Sequence, residues 1–172
     1  MMMCNVVSEG ERWECGTMCA MTGLNDEELL QLAIEQAQIG RTEGGIPIGA
    51  VLAVDGEMLG AGHNQRVQMG SAIRHGETDA LENAGRLPAT TYAAATMYTT
   101  LSPCHMCTGA ILLYGIKRVV IGENRTFMGA EDLLREHGVE VINLDSPQCV
   151  EMMDAFIAEH PSLWNEDIGE PD

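Results

Sequence analysis

Two short motifs do most to limit how this chain can fold. One is His75-Gly76-Glu77, within RHGETDALE; the other runs from Pro103 to Cys107, within TTLSPCHMCTGA. Each follows a stretch of strand or loop character and opens a stretch of helical character. Cysteines at i and i+3 of a helix start share one face of its first turn, and thiolates there are favoured by the unsatisfied N–H groups and the helix dipole. Two such helix starts meeting at one edge of a sheet bring His75, Cys104 and Cys107 together as a three-ligand zinc site. A structural tetrahedral zinc normally takes four protein ligands, whereas a catalytic one leaves a place for a water whose pKa falls to roughly 7. Glu77, next to the ligands without being one, can then face that water and carry protons.

Taken singly, neither motif says this much. A lone C-x-x-C also serves as a redox pair or as part of a structural zinc site, and a lone H-x-E is ordinary helix surface. Together and in this order they match the zinc deaminase signature, H-x-E followed by P-C-x-x-C. The remaining cysteines and histidines lack such partners. Cys4, Cys15 and Cys19 fall in an irregular opening and are read as incidental, Cys149 opens an amphipathic helix as a small buried hydrophobe, and His63, His105, His137 and His160 are left structural.

The pattern around the motifs predicts the frame that carries them. Asn25 or Asp26 can cap a first helix in which Leu30, Ala33, Ile34 and Ala37 fall on one face and Gly40 ends the run. IGAVLAVDGEMLGAGHN reads as a hairpin about Asp55-Gly56, a dipeptide that favours a type I′ turn. Helix and strand patterns then alternate: a helix from HGETDALENAG, a strand in ATMYTTL, a helix in CHMCTGAILLYG, a strand in RVVIG, a short helix in GAEDLLREHG, a strand in VEVINL and a long helix in CVEMMDAFIAEH. A hairpin followed by such alternation predicts one mixed sheet with helices on both faces. Residues 1–23, without any period, are expected to form a flexible N-terminal extension, and residues 24–172 a single zinc-dependent domain. The acidic run NEDIGEPD reads by itself as a solvated tail.

Charge removes several functions. With 26 acidic against 9 basic side chains and a formal charge of −17, the chain repels the phosphate backbones that Lys and Arg normally neutralise, so nucleic acid is not an expected partner. No basic stretch followed by a sustained apolar run opens the chain, and no segment is long enough to cross a bilayer. A cytoplasmic protein without membrane contact is expected, with its thiols reduced or bound to metal.

From about Leu30 to Glu170, through EGGIPIGA, GHNQR, HGETDALENAGRL, YTTLSPCHMCTGAILLYGI, GEN and the closing W-x-E-D-I-G-E, the sequence resembles the cytidine deaminase superfamily, and within it the fungal-type (yeast-like) cytosine deaminases. That resemblance implies an α/β fold, a three-layer α/β/α sandwich with a central mixed five-stranded sheet, assembled as a homodimer with one catalytic Zn2+ per subunit. It implies hydrolytic deamination of a free base, cytosine to uracil plus ammonia, with zinc hydroxide attacking C4 and Glu77 shuttling protons. It further implies that Asn64 and the backbone N–H of Gly76 bind the amide edge of the ring. The carbonyl of Ser102 and the carboxylate of Asp167 receive the amino group, Phe127 and Trp164 cover the ring, and Ile48 and Leu101 line the pocket.

Two positions depart from the family pattern. Val67, after Asn64-x-Arg66, and Asn165, after Trp164, stand where the fungal enzymes carry Phe, so a wider pocket or a looser lid is expected. Deamination of another free amino heterocycle, such as guanine or a substituted cytosine, therefore stays open. A tRNA adenosine deaminase would share the motifs but must grip a polyanion. A non-catalytic zinc module, in which the metal only staples the fold, leaves Glu77 without a task.

Overall fold

The computed structural model describes residues 23–171. Apart from Gly23, the extension expected over residues 1–23 lies outside the described residues, as do Cys4, Cys15 and Cys19. The architecture is the α/β arrangement expected: a five-stranded mixed sheet in the order β2-β1-β3-β4-β5 between two helical layers.

Helix α1 (Asp26–Thr42) starts at Asn25, whose side chain accepts from the Glu28 N–H while the Glu28 side chain accepts from the Asn25 N–H. This reciprocal cap satisfies two of the donors that every helix start leaves orphaned. Gly40 does not end α1, as its residue type suggested. It lies inside the helix, where a Cβ would come within 2.9 Å of the His63 ring, so it is a point of close approach between α1 and the strand below.

Strands β1 (Gly49–Val54) and β2 (Glu57–His63) form the expected hairpin. Asp55 and Gly56 both have positive φ, 51° and 80°, the conformation a type I′ turn requires and the one Asp-Gly adopts with little strain. Beyond them, β1 pairs antiparallel with β3 (Thr96–Leu101), and β3, β4 (Arg118–Glu123) and β5 (Glu140–Asn143) run parallel.

The apolar run of β1 is buried on both sides, as expected of a strand covered by helices above and below. Ala50 and Leu52 face one layer with Met97, Val119 and Ile121, under Leu81 of α3 (Gly76–Ala84), Tyr92 of α4 (Ala89–Ala94), Ile111 of α5 (His105–Tyr114) and Leu134 of α6 (Glu131–Glu136). Val51 and Ala53 face the other with Tyr98 and Val120, under Leu30 and Ile34 of α1 and Cys149 of α7 (Pro147–Glu159). The period of two along each strand thus sorts the apolar side chains into two cores, and Cys149 is the buried hydrophobe its context suggested.

The periodic patterns did not reveal three helices: the four-residue α2 (Arg66–Met69), α4, and α8 (Pro161–Ile168). The last corrects the reading of the acidic C-terminal run as a solvated tail. Pro161 starts α8, and Trp164 is buried at 6% exposure in a third apolar cluster with Ile46, Ile48, Leu101, Met153 and Phe156. That cluster sits at the end of the sheet where β3 runs into α5. Among the described residues no helix is long and apolar enough to cross a membrane.

Candidate active site

The two motifs converge as their positions required. His75 is the N-cap of α3, and its N–H donates to Thr78 Oγ1 (2.9 Å), which fixes the backbone from which the imidazole projects. Cys104 is the N-cap of α5, with Cys107 three residues on and fully buried. One ligand atom from each of His75, Cys104 and Cys107 lies within 4.8 Å of the others, and Cys104 Sγ is 3.6 Å from His75 Nδ1. Zn–S bonds of about 2.3 Å and Zn–N bonds of about 2.0–2.1 Å give a tetrahedron edges of ~3.5–3.8 Å, so the donor types and their spacing fit zinc.

The charge states point the same way. Cys104 is pulled down to about 4, chiefly by the Cys107 S–H that donates to it and then by His75, while Cys107 is pushed well up by that same hydrogen bond and by burial. These opposite shifts have one main cause, the proton shared between the two sulfurs. A divalent cation takes the place of such protons, because its ligands must be deprotonated to bind it. Burial works against a charge on His75, but the hydrogen bond with Cys104 and the negative charge of Asp167 outweigh it and raise its pKa. Asp167 Oδ1 stands 3.8 Å from His75 Nε2, beyond hydrogen-bond range but near enough for its charge to act on the ring.

Glu77 occupies the first turn of α3 at 3% exposure. Burial, followed by the negative charge of Cys104, pushes its carboxyl above the usual carboxylate range. A buried carboxyl tuned upward in a cleft is suited to take up and release a proton during turnover.

Glu77 opens onto a cavity of about 20 Å³ that His75, Cys104, Ser102 and Asp167 also line, walled by Ile48, Leu101, Phe127, Trp164 and Ile168. The rings of Phe127 and Trp164 meet edge to face, with centroids 5.9 Å apart. Gly129 allows the loop carrying Phe127 to lie this close: a Cβ there would come 2.1 Å from the Pro103 carbonyl oxygen. A larger hollow of about 770 Å³, between α3, α4 and α5, gathers no metal-binding cluster.

Asn64 and Gly76 do not line the cavity itself. Asn64, fully buried, donates from Nδ2 to Asp167 Oδ1 (3.1 Å) and accepts at Oδ1 from the Arg66 N–H (3.0 Å). Gly76 is the first residue of α3, so its N–H has no acceptor within the helix. The histidines left structural stay clear of the metal cluster, and His63 pairs with Glu43 at 3.0 Å.

The sequence reading missed three contributors. Ile168 lines the cavity beside Asp167. Arg66 grips Asp167 and Glu166 through its guanidinium. Glu131, 2% exposed, accepts from Ser102 Oγ (2.8 Å) and so holds a residue that lines the cavity. Arg66 and Ile168 fall within GHNQR and W-x-E-D-I-G-E and Glu131 within no motif, but it is tertiary contacts that give all three their tasks. Val67, expected to bear on pocket width, instead lines a separate hollow with Leu163 and Glu166 on the outer side of α8.

The comparisons agree with this geometry. Residues 24–123 match the cytidine and deoxycytidylate deaminase zinc-binding region. The chain belongs to this family of zinc-binding deaminases. It is 60% identical over 147 residues to the cytosine deaminase of Candida albicans, covering 85% of this chain and 98% of that one, and 34% identical over 144 residues to the tRNA-specific adenosine deaminase of Bacillus subtilis, covering 78% and 89%. The guanine deaminase of Nitrosomonas europaea shares the fold, with a TM-score of 0.65 at 20% identity over 79% of this chain and 86% of that one.

Proposed function

We propose that this chain is a zinc-dependent aminohydrolase that converts free cytosine to uracil and ammonia. The observation that carries the proposal is the buried Glu77 carboxyl opening, beside a His/Cys/Cys cluster, onto a small cavity with two aromatic covers. The 60% identity to a cytosine deaminase along nearly its whole length supports the same substrate.

His75, Cys104 and Cys107 would hold zinc, which would supply the Lewis acidity that activates water at neutral pH. Glu77 takes one proton from the attacking water and delivers it to N3 of the ring as the water oxygen adds at C4. It then takes the remaining proton from the new C4 hydroxyl and passes it to the amino nitrogen, so that the C4–N bond breaks, ammonia leaves and the oxygen becomes the uracil carbonyl. The Ser102 carbonyl and the Asp167 carboxylate accept the amino N–H groups, while Asn64 and the Gly76 N–H, which the closed cavity does not reach, bind the amide edge once a wall has moved. Phe127 and Trp164 sandwich the ring, and Ile48, Leu101 and Ile168 exclude water from its rim. The cavity has room for about one water, so a base enters only when a wall moves.

A substrate panel tests this reading. Ammonia release is expected from cytosine, with little salt dependence, and not from guanine, adenine or an adenosine-containing RNA. Turnover of guanine with silence on cytosine would move the assignment to another free amino heterocycle.

The same proposal includes a homodimer acting in the cytoplasm, each subunit a single domain over residues 24–172. The open groove of α3, α4 and α5 offers the paired surface, with Leu113 79% exposed and Tyr114 42% exposed on α5. Two such apolar side chains at one rim mark an association site better than isolated ones do. Light scattering should give twice the chain mass for the parent and the chain mass for Leu113→Asp; a parent that runs as a monomer would contradict the pairing.

A further inference from the structure

Helix α8 carries Trp164, Asp167 and Ile168 into the catalytic cavity, which makes it the wall best placed to move. It follows α7 with only His160 between them, at φ −136° and ψ 57°, which is not a helical conformation. Apolar packing of Trp164 and Leu163 seats one side of it. Its polar attachment is narrower. Among the described residues, every side-chain hydrogen bond between α8 and the rest of the chain comes from Asn64 or Arg66.

Arg66 makes most of them. One guanidinium nitrogen donates to Asp167 Oδ1 (3.0 Å) and to the Glu166 carbonyl (3.3 Å), and the other donates to Glu166 Oε1 (2.6 Å). The Arg66 side chain is 15% exposed and that of Asp167 3%, while that of Glu166 is 61% exposed. The inner half of the contact is therefore shielded from water and the outer half is not. Through its own backbone N–H, Arg66 also holds Asn64 Oδ1. A planar fork of donors suits such a multi-point grip, which a lysine cannot reproduce.

We propose that Arg66 is a positioning residue that latches α8 over the bound base, so that closing the cavity and aiming Asp167 and Asn64 are one event. This rests on the reading of the cavity as a nucleobase site. With the latch released, α8 spends more time open, and apparent affinity falls with the population of the closed form.

Amide exchange of residues 161–168 in the zinc-loaded full chain, measured alongside cytosine kinetics, tests it. For Arg66→Met, α8 exchange is expected to rise roughly 10- to 100-fold, as loss of hydrogen bonds to a charged group implies. KM should rise in similar proportion and kcat should fall less, with Arg66→Lys recovering part of both. Glu166→Gln weakens only the exposed half, removing its charge while leaving an acceptor, and should raise α8 exchange about two- to fivefold. Unchanged α8 exchange in a folded, zinc-replete Arg66→Met protein overturns the latch, and so does an equal rise in β3 and α3, which would mean a general structural role. If Arg66→Met does not fold, Glu166→Gln decides by the same criterion. Exchange needs no turnover, so inactivity of the parent on cytosine would reject the substrate assignment while the latch is still judged.

Discussion

Glu77→Ala is expected to fold and bind zinc like the parent and to lose nearly all turnover, by at least the roughly 10²- to 10⁴-fold that positioned acid–base transfer supplies. Glu77 is not among the ligand atoms, so metal content has no reason to fall. Nor should stability, because burying an ionisable group is unfavourable and its raised pKa records that strain. Glu77→Gln, which keeps the shape and loses the titrating oxygen, should be as inactive. Metal analysis and ammonia release on the same preparation check both halves of the expectation. A variant that keeps turnover would remove Glu77 from the proton path, and one that loses zinc would make it part of the metal site.

Cys104→Ala is expected to fail earlier, at the metal. Removal of an outer partner of a metal ligand already weakens affinity by roughly 10- to 100-fold, and loss of a ligand should exceed that. A cation that binds only the folded chain stabilises it by an amount that grows with the logarithm of its free concentration relative to its dissociation constant, so the variant should also melt at a lower temperature in zinc-containing buffer. The gap between the two proteins should shrink under a chelator. Titration with a zinc indicator and thermal melts with and without chelator measure these effects. Unchanged zinc occupancy would show that the ligand assignment is wrong, and an unchanged melt would show that the metal is not coupled to folding.

How far the sequence could be read depended on whether a feature was local. Asp55-Gly56 demanded one turn and produced the hairpin, because positive φ at both residues is a local requirement that few dipeptides meet. The ligand motifs were legible for the same reason: spacing along a helix start places Cys104 and Cys107 whatever surrounds them. Gly40 misled because a glycine that ends a helix and one that makes room for a neighbouring ring look alike in sequence; only His63 beneath it distinguishes them. Helix α8 was hidden more deeply. Half of its residues are polar or acidic, and its helical state depends on burying Trp164 among side chains from β3, α7 and the loop before β1 and on the grip of Arg66. Resemblance to a family pointed to Trp164 and Asp167; periodicity did not. The position of Val67 outside the cavity likewise required the third dimension, and it ties that substitution to the lid rather than to pocket width.

The central claim is that His75, Glu77, Cys104 and Cys107 form one working centre for deamination of a free base. It is tested most directly by ammonia and uracil formation from cytosine, measured in parallel on the zinc-loaded parent, the parent stripped of metal, and zinc-loaded Glu77→Ala. The account predicts turnover in the first alone, restored to the second by added zinc. Equal turnover in the stripped protein or in Glu77→Ala would contradict it.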